Sequence, residues 1–313
     1  MKTILVTGAN GFIGKALYRR LVEEGLAVRA VGRSAVPGCT SIGPIDADTD
    51  WSAALDGVDS IVHLAARVHV MRDREADPLA AFRKVNVEGT AKLASEAARR
   101  GVRRFVFVSS IKVNGESTRD GTPFQADDPP APTDPYGLSK YEAEQVLLRL
   151  AGETEMEVVV IRPPLVYGPG VKANFEAMIR WLMRGVPLPL GAIRNRRTLV
   201  ALDNLVDLII TCVRHPRAAN EVFLAGDAEH LSTPELLRRL GRALEVQPTL
   251  ISVPVWLVEV AAAAVGKRAV ARRLCGNLEI DISKARRLLD WSPPVTVDEG
   301  LRRVASHYLQ RQS

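Results

Sequence analysis

Apolar residues in the first half of the chain fall into short, nearly unbroken runs separated by stretches of helical period. Thr3–Val6, Ala27–Val31, Ser60–His63, Arg104–Val108 and Glu157–Ile161 are the runs. Runs that do not alternate with polar residues predict strands covered on both faces. Between them, Phe12–Glu24, Leu79–Arg100 and Tyr136–Leu150 repeat apolar positions every three to four residues. That period predicts amphipathic helices, and Gly101 supplies a C-terminal stop for the long middle one. Strand–helix alternation of this kind predicts an α/β fold with a doubly wound parallel sheet.

The pattern changes after Ile161. Pro163, Pro164, Pro169, Pro187 and Pro189 punctuate the chain and apolar runs become scarce. The expected organisation is a first lobe over 1–165, to which a strand-then-helix pattern at 198–226 returns. A smaller C-terminal lobe then takes 166–197 and 227–313. No internal repeat or flexible linker separates the two. The stretch Pro254–Val265 is strongly apolar but is interrupted by Glu259. It is too short to span a bilayer and predicts a helix packed on one face, with peripheral membrane contact as the lesser alternative.

Composition changes this picture little. Of 313 residues, 47% are hydrophobic and 25% charged, so a full core can be buried. The net charge of +6 is spread along the chain, with short clusters at Arg194, Arg196, Arg197 and at Arg272, Arg273. No basic block interleaved with aromatics exists, which argues against a nucleic-acid partner. Cys39, Cys212 and Cys275 are isolated and allow neither a disulfide framework nor a metal pair. The N-terminus enters a strand without a signal-peptide layout, so a cytoplasmic protein with reduced thiols is expected.

Chemistry first appears at the end of the first strand, where the chain reads Thr7–Gly8–Ala9–Asn10–Gly11–Phe12–Ile13–Gly14. Glycines there permit a tight turn and let backbone approach a pyrophosphate at a helix N-terminus. The strand before and the helix after supply the context this motif needs. Gly8, Asn10, Gly11, Phe12, Ile13 and Gly14 are therefore expected to hold a dinucleotide, and the first lobe reads as a Rossmann-type domain. An acid at the end of the second strand would select NAD, whereas a base there suits the 2′-phosphate of NADP. The chain has Gly32–Arg33 and no acid, which favours NADP(H), with NAD as the alternative. Asp46 is placed near the adenine, and Leu64, Ala65 and Ala66 line the cofactor's path.

Tyr136 and Lys140 stand four residues apart and share a helix face. A nearby ammonium favours the phenolate, which makes Tyr136 a usable proton donor and acceptor. The strand Arg104–Val108 runs into Ser109–Ser110, at the sheet edge where open α/β folds keep their chemistry.

Several motifs together resemble one family. They are TGANGFIG (7–14), HLAA (63–66), NVEGT (86–90), SSIKVNG (109–115), PYGLSK (135–140) and RPPLVYGPG (162–170). The chain is similar to the extended short-chain dehydrogenase/reductases, and within them to the NAD-dependent epimerase/dehydratase group acting on nucleotide sugars. A weaker family-like stretch runs from Asp281 to Leu301. The resemblance implies that Ser110, rather than Ser109, is the catalytic serine. It implies Tyr136 as acid/base and Lys140 as its partner, both also touching the cofactor. It places Pro163 against the cofactor and Asn86 in a supporting hydrogen bond. Asn174 and Arg197 are implied as contacts to the substrate diphosphate, with an arginine on a solvated strand edge as the competing reading of Arg197; His69, beyond the third predicted strand, either reaches the sugar or is an ordinary loop histidine.

Within that group, dehydratases carry an Asp–Glu pair after the catalytic serine. Here Ile111 and Lys112 stand there, which disfavours dehydration. A 4-keto reductase and a 4-epimerase remain. Arg33 and a resemblance to bacterial O-antigen reductases put first a reductase of a UDP-4-keto-6-deoxy-N-acetylhexosamine. A UDP-hexose 4-epimerase is the alternative, and a non-catalytic NADP-binding sensor a distant one. No metal is expected, and a homodimer stays open as the assembly.

Overall fold

The computed structural model describes residues 2–68 and 77–311, without the side chains of Ala173, Asn174 and Ala269. Seven parallel strands make the central sheet: β1 (Thr3–Thr7), β2 (Ala27–Gly32), β3 (Thr40–Ser41), β4 (Val58–His63), β5 (Arg104–Val108), β6 (Glu157–Arg162) and, after three short strands, β10 (Val222–Leu224). Their order is β10-β6-β5-β4-β1-β2-β3. The chain starts mid-sheet, builds outward through β2 and β3, then returns to β4 on the other side of β1. The resulting switch point lies between the carboxyl ends of β1 and β4, where open α/β sheets form a crevice.

Both faces of the sheet are covered. Helices α1 (Phe12–Glu23), α2 (Pro78–Arg83), α3 (Gly89–Arg99) and α4 (Pro135–Glu153) belong to this half. On one face Val6, Val106, Val159 and Ile161 join Leu17 and Leu21 of α1. On the other, Leu5, Phe105, Phe107, Val158 and Val160 join Leu93 and Leu147. Neighbouring residues of one strand thus enter different cores, as the period of two dictates. This accounts for the unbroken apolar runs and gives the expected parallel α/β sheet.

The long helix predicted over Leu79–Arg100 is interrupted. A π-helical turn at Lys84–Glu88 separates α2 from α3, and it turns Asn86 into the interior, 1% exposed. Single π turns cluster at functional sites.

Beyond β6 come the two-residue strands β7 (Val166–Tyr167), β8 (Arg197–Thr198), β9 (Val200–Ala201) and β11 (His230–Leu231), with α5 (Ala173–Met183), α6 (Leu202–Arg214) and α7 (Thr233–Ala243). Helices α8 (Val255–Ala264), α9 (Arg268–Cys275), α10 (Ser283–Leu289) and α11 (Val297–Gln310) complete the chain. A third core joins Tyr167, Phe175, Leu237, Leu240, Leu301 and Val304. Helix α6 packs against α1 and β5. Buried Arg104 donates to the Cys212, Val213 and His215 carbonyls at its C-terminal end, at 2.7–3.2 Å. Leu278, Ile280, Ile282, Leu289 and Trp291 pack into the same core as the sheet. Helix α8 packs on α9 through one side, as expected, yet none of its ten residues is buried.

Candidate active site

Two loops meet at the switch point. Gly8 takes a left-handed φ of 66° and stands so close to the loop after β4 that a Cβ would lie 2.8 Å from the Ala65 nitrogen. A Cβ on Gly14 would overlap the Gly8 carbonyl. Gly11 forms the N-cap of α1 without any side-chain cap, so the first amides of that helix stay open toward an anion. This cradle of bare backbone fits a dinucleotide pyrophosphate. Asn10 packs over Gly32, where a Cβ would come 3.0 Å from its side-chain amide. Arg33 follows directly and is exposed, with no hydrogen bond or ion pair from its guanidinium among the described residues.

The loop after β4 is tied down from beneath. The Leu64 amide donates to the Thr7 carbonyl at 3.3 Å, and the Ala65 amide to the Thr7 hydroxyl at 3.2 Å. That hydroxyl also bonds His63 Nδ1 at 2.7 Å, while His63 Nε2 bonds Thr90 at 3.0 Å. Burial, reinforced by the charge of Lys140, pushes the His63 pKa down to about 3. The ring is therefore a neutral strut. Asp46 is held by its own turn, accepting from the Asp48 amide at 3.1 Å, and lies 3.5 Å from Lys84.

The structure separates the two serines after β5. Ser109 is buried and donates to Glu144 in a very short hydrogen bond. Ser110 caps the turn Ile111–Val113, accepting from the Lys112 amide at 3.3 Å, and its hydroxyl acts on Tyr136, favouring the phenolate. Only Ser110 thus reaches the tyrosine. Pro163 accepts from the Ile111 amide at 3.0 Å, which binds the end of β6 to this turn. Lys112 pairs with Asp134 and Glu116, so the position carries a cation already engaged at the start of α4.

Asp134 is also the N-cap of α4, accepting from the Gly137 amide at 2.6 Å. Gly137 lets that helix end touch the serine turn, since a Cβ there would lie 2.9 Å from the Lys112 carbonyl. The approach brings Tyr136, half-buried, against Ser110, with Phe82 edge-on at 5.8 Å. Burial, with Asp134 adding to it, raises the Tyr136 pKa; the Ser110 hydroxyl opposes the rise. Lys140, one turn on and 2% exposed, donates to the Val108 carbonyl at 2.8 Å and sits 4.4 Å above the Phe107 ring. Burial lowers its pKa to about 7, against the opposing pull of Glu144.

Asn86 links the parts. Its oxygen accepts from the Arg67 amide at 2.8 Å; its amide donates to the Arg67 carbonyl at 3.1 Å and to Ser139 at 3.0 Å. Ser139 in turn donates to the Tyr136 carbonyl at 2.8 Å.

Residue reasoning missed a buried network under this site. Arg162 forks onto Glu144, 2.6 Å at the closest, and donates to Asn114 at 3.0 Å. Glu144 follows Lys140 by four residues, the same helical step that relates Lys140 to Tyr136. That spacing was the available signal.

Arg197 lies in β8, half-buried, donating to the Gly276 carbonyl at 2.9 Å. Burial and then the neighbouring Arg273 lower its pKa. It is thus not on a solvated edge. His69 and the Asn174 side chain lie outside what the structure describes.

A family model described as the NAD dependent epimerase/dehydratase family matches residues 4–226. The chain belongs to that family. It is a dinucleotide-dependent enzyme of the short-chain dehydrogenase/reductase kind. A UDP-glucose 4-epimerase of Vibrio cholerae is 47% identical over 315 positions, covering 99% of this chain and 96% of that protein. The structure of a UDP-glucose 4-epimerase from Thermotoga maritima with UDP-glucose shares the fold, with a TM-score of 0.79 at 23% identity over 100% of both chains. So does a UDP-glucuronic acid 4-epimerase from Bacillus cereus in complex with NAD, with a TM-score of 0.77 at 21% identity over 99% of this chain and 100% of that one. No helix among the described residues is long and apolar enough to cross a membrane.

Proposed function

We propose that the protein is a UDP-hexose 4-epimerase. The observation that carries the chemistry is the hydroxyl of Tyr136, acted on by Ser110 and one helical turn from buried Lys140. The full-length likeness to a UDP-glucose 4-epimerase at 47% identity supports epimerisation over net reduction. This reverses the order suggested by Arg33, and the 4-keto reductase becomes the second reading.

A nicotinamide bound by the glycine cradle would supply the hydride chemistry at the sugar C4, accepting and returning one hydride. Tyr136 takes the proton of the 4-hydroxyl as the carbinol becomes a ketone, and returns it when the ketone is reduced on its other face. Ser110 donates to the same oxygen and holds it beside the phenol. Lys140 favours the phenolate through its charge. Ser110 acts in the same direction and opposes the burial that raises the Tyr136 pKa. Ile111 and Lys112 offer no carboxylate for elimination across C5–C6.

The glycine cradle, Asn10, and Leu64 to Ala66 would hold the dinucleotide. Pro163, at the end of β6, would close the nicotinamide side, and Asp46 would stand near the adenine. Arg33 would meet a 2′-phosphate, so NADP binds more tightly than NAD. Arg197, with Asn174, would take the diphosphate, for which a guanidinium fork is suited. His69 is retained as a sugar contact. We take 1–165 with 198–226 as the cofactor domain, and 166–197 with 227–313 as the substrate lobe. The packing of α6 on α1 and the separate core around Tyr167 support that division.

The deciding experiment supplies purified enzyme with UDP-glucose and, separately, with a UDP-4-keto-6-deoxy-N-acetylhexosamine plus NADPH. Formation of UDP-galactose without net change in nicotinamide absorbance is expected. Stoichiometric NADPH oxidation on the keto-sugar, with no epimer formed, would replace this reading with the reductase.

A further inference from the structure

We infer that α8 and α9 form a docking surface for an anionic lipid bilayer. Helix α8 has a single charged residue, Glu259, in ten positions, and none of the ten is buried. Only Val255, Val258 and Ala262, on one side of the helix, are half-buried. Trp256 is 62% exposed, Leu257 41%, Val260 60%, and Val265 just beyond the helix 67%. A monomer gains nothing in water from holding a tryptophan and several aliphatic side chains outward on one helix. Contiguous apolar surface of this kind marks an interaction site.

The surrounding charge selects the occupant. Helix α9 packs against α8, and Lys267, Arg268, Arg272 and Arg273 are all exposed there. Residues 251–275 hold four basic side chains against one acid. A second copy meeting this face about a two-fold axis would crowd two such basic sets around one apolar contact, and like charges across an interface repel. A bilayer with acidic headgroups answers both features. The apolar ridge enters the headgroup boundary while the cations meet phosphate, and tryptophan suits that depth. Ten helical residues extend about 15 Å, half of a hydrocarbon core, so the helix lies on the surface and does not cross it. Arg197 donates to the carbonyl of Gly276, which follows α9 directly, so docking would fix the orientation of the substrate lobe.

The test is flotation of the purified full-length chain with vesicles of equal parts phosphatidylglycerol and phosphatidylcholine, or of phosphatidylcholine alone. Co-flotation with the anionic vesicles, weakened by salt, is expected. Each cation near an acidic leaflet strengthens binding about fivefold, so Arg268→Ser with Arg272→Ser should weaken it at least about tenfold. Trp256→Glu with Val260→Glu should abolish it. Unchanged thermal midpoints show that the variants fold, and brominated lipid should quench the wild type but not Trp256→Phe to the same extent. The proposal is overturned if the wild type stays in the dense fraction with anionic vesicles. It is equally overturned if the Trp256→Glu, Val260→Glu variant floats as the wild type does, or if that variant merely converts a dimer to a monomer.

Discussion

At the residue scale, the proposed chemistry rests on one phenol. Tyr136→Phe keeps the ring against Phe82 and removes the proton carrier. General acid–base catalysis contributes about a hundred- to ten-thousand-fold, so kcat should fall within that range while dinucleotide affinity, read by titration calorimetry, stays within about twofold. Near-normal turnover in this variant would remove Tyr136 from the mechanism. Arg33 makes a separate prediction. It is exposed immediately after β2 with no acid beside it, and a charge-assisted hydrogen bond contributes roughly 1.5–3 kcal/mol. Arg33→Ala should therefore narrow the NADPH-over-NADH preference several-fold in competition binding. Equal affinity of the wild type for both cofactors would discard this role. The tyrosine–lysine step and the glycine loop were legible in the sequence as patterns because each is a fixed local spacing. The choice between Ser109 and Ser110 came from the resemblance; their different partners appear only when α4 lies over the end of β5.

At the element scale, the site depends on how α4 is held. Its N-terminus is set by Asp134 and by the room Gly137 leaves over the serine turn. Its middle is clamped by Glu144 to Ser109 of the β5 end and to Arg162 of β6, the ion pair being 1% and 5% exposed. Breaking a buried pair by removing one charge costs about 3–5 kcal/mol, because the partner is left uncompensated. Glu144→Gln should lower stability on that order in chemical denaturation. It should also reduce kcat more than it raises KM, since the helix carrying Tyr136 and Lys140 loses its anchor. A wild-type denaturation midpoint would contradict the clamp. The interrupted helix at 84–88 belongs to this scale too. Nothing in its apolar period signals the π turn, because the turn answers hydrogen bonds from Asn86 to Arg67 and Ser139 across other elements.

For the whole molecule, acid sensitivity follows from His63. Its pKa is about 3 when folded against an ordinary 6.5, so the unfolded chain binds the extra proton between those values. Stability attributable to the neutral ring is complete above about pH 6.5 and is lost progressively as pH falls toward 3. Unfolding free energy measured from pH 7 to pH 4 should fall more steeply in the wild type than in His63→Gln, by about a few kcal/mol. Parallel curves would exclude His63 as the cause. What the sequence alone determined is the parallel sheet, the tight glycine loop and the tyrosine–lysine step, because strand burial, tight turns and helical spacing are local properties. Tertiary structure alone decided that Glu144 and Arg162 meet beneath the serine turn, that Arg197 is half-buried beside Gly276, and that the outer side of apolar α8 stays uncovered. Each depends on which distant elements come together, and hydrophobic period along one element records that its face is apolar without recording what will cover it.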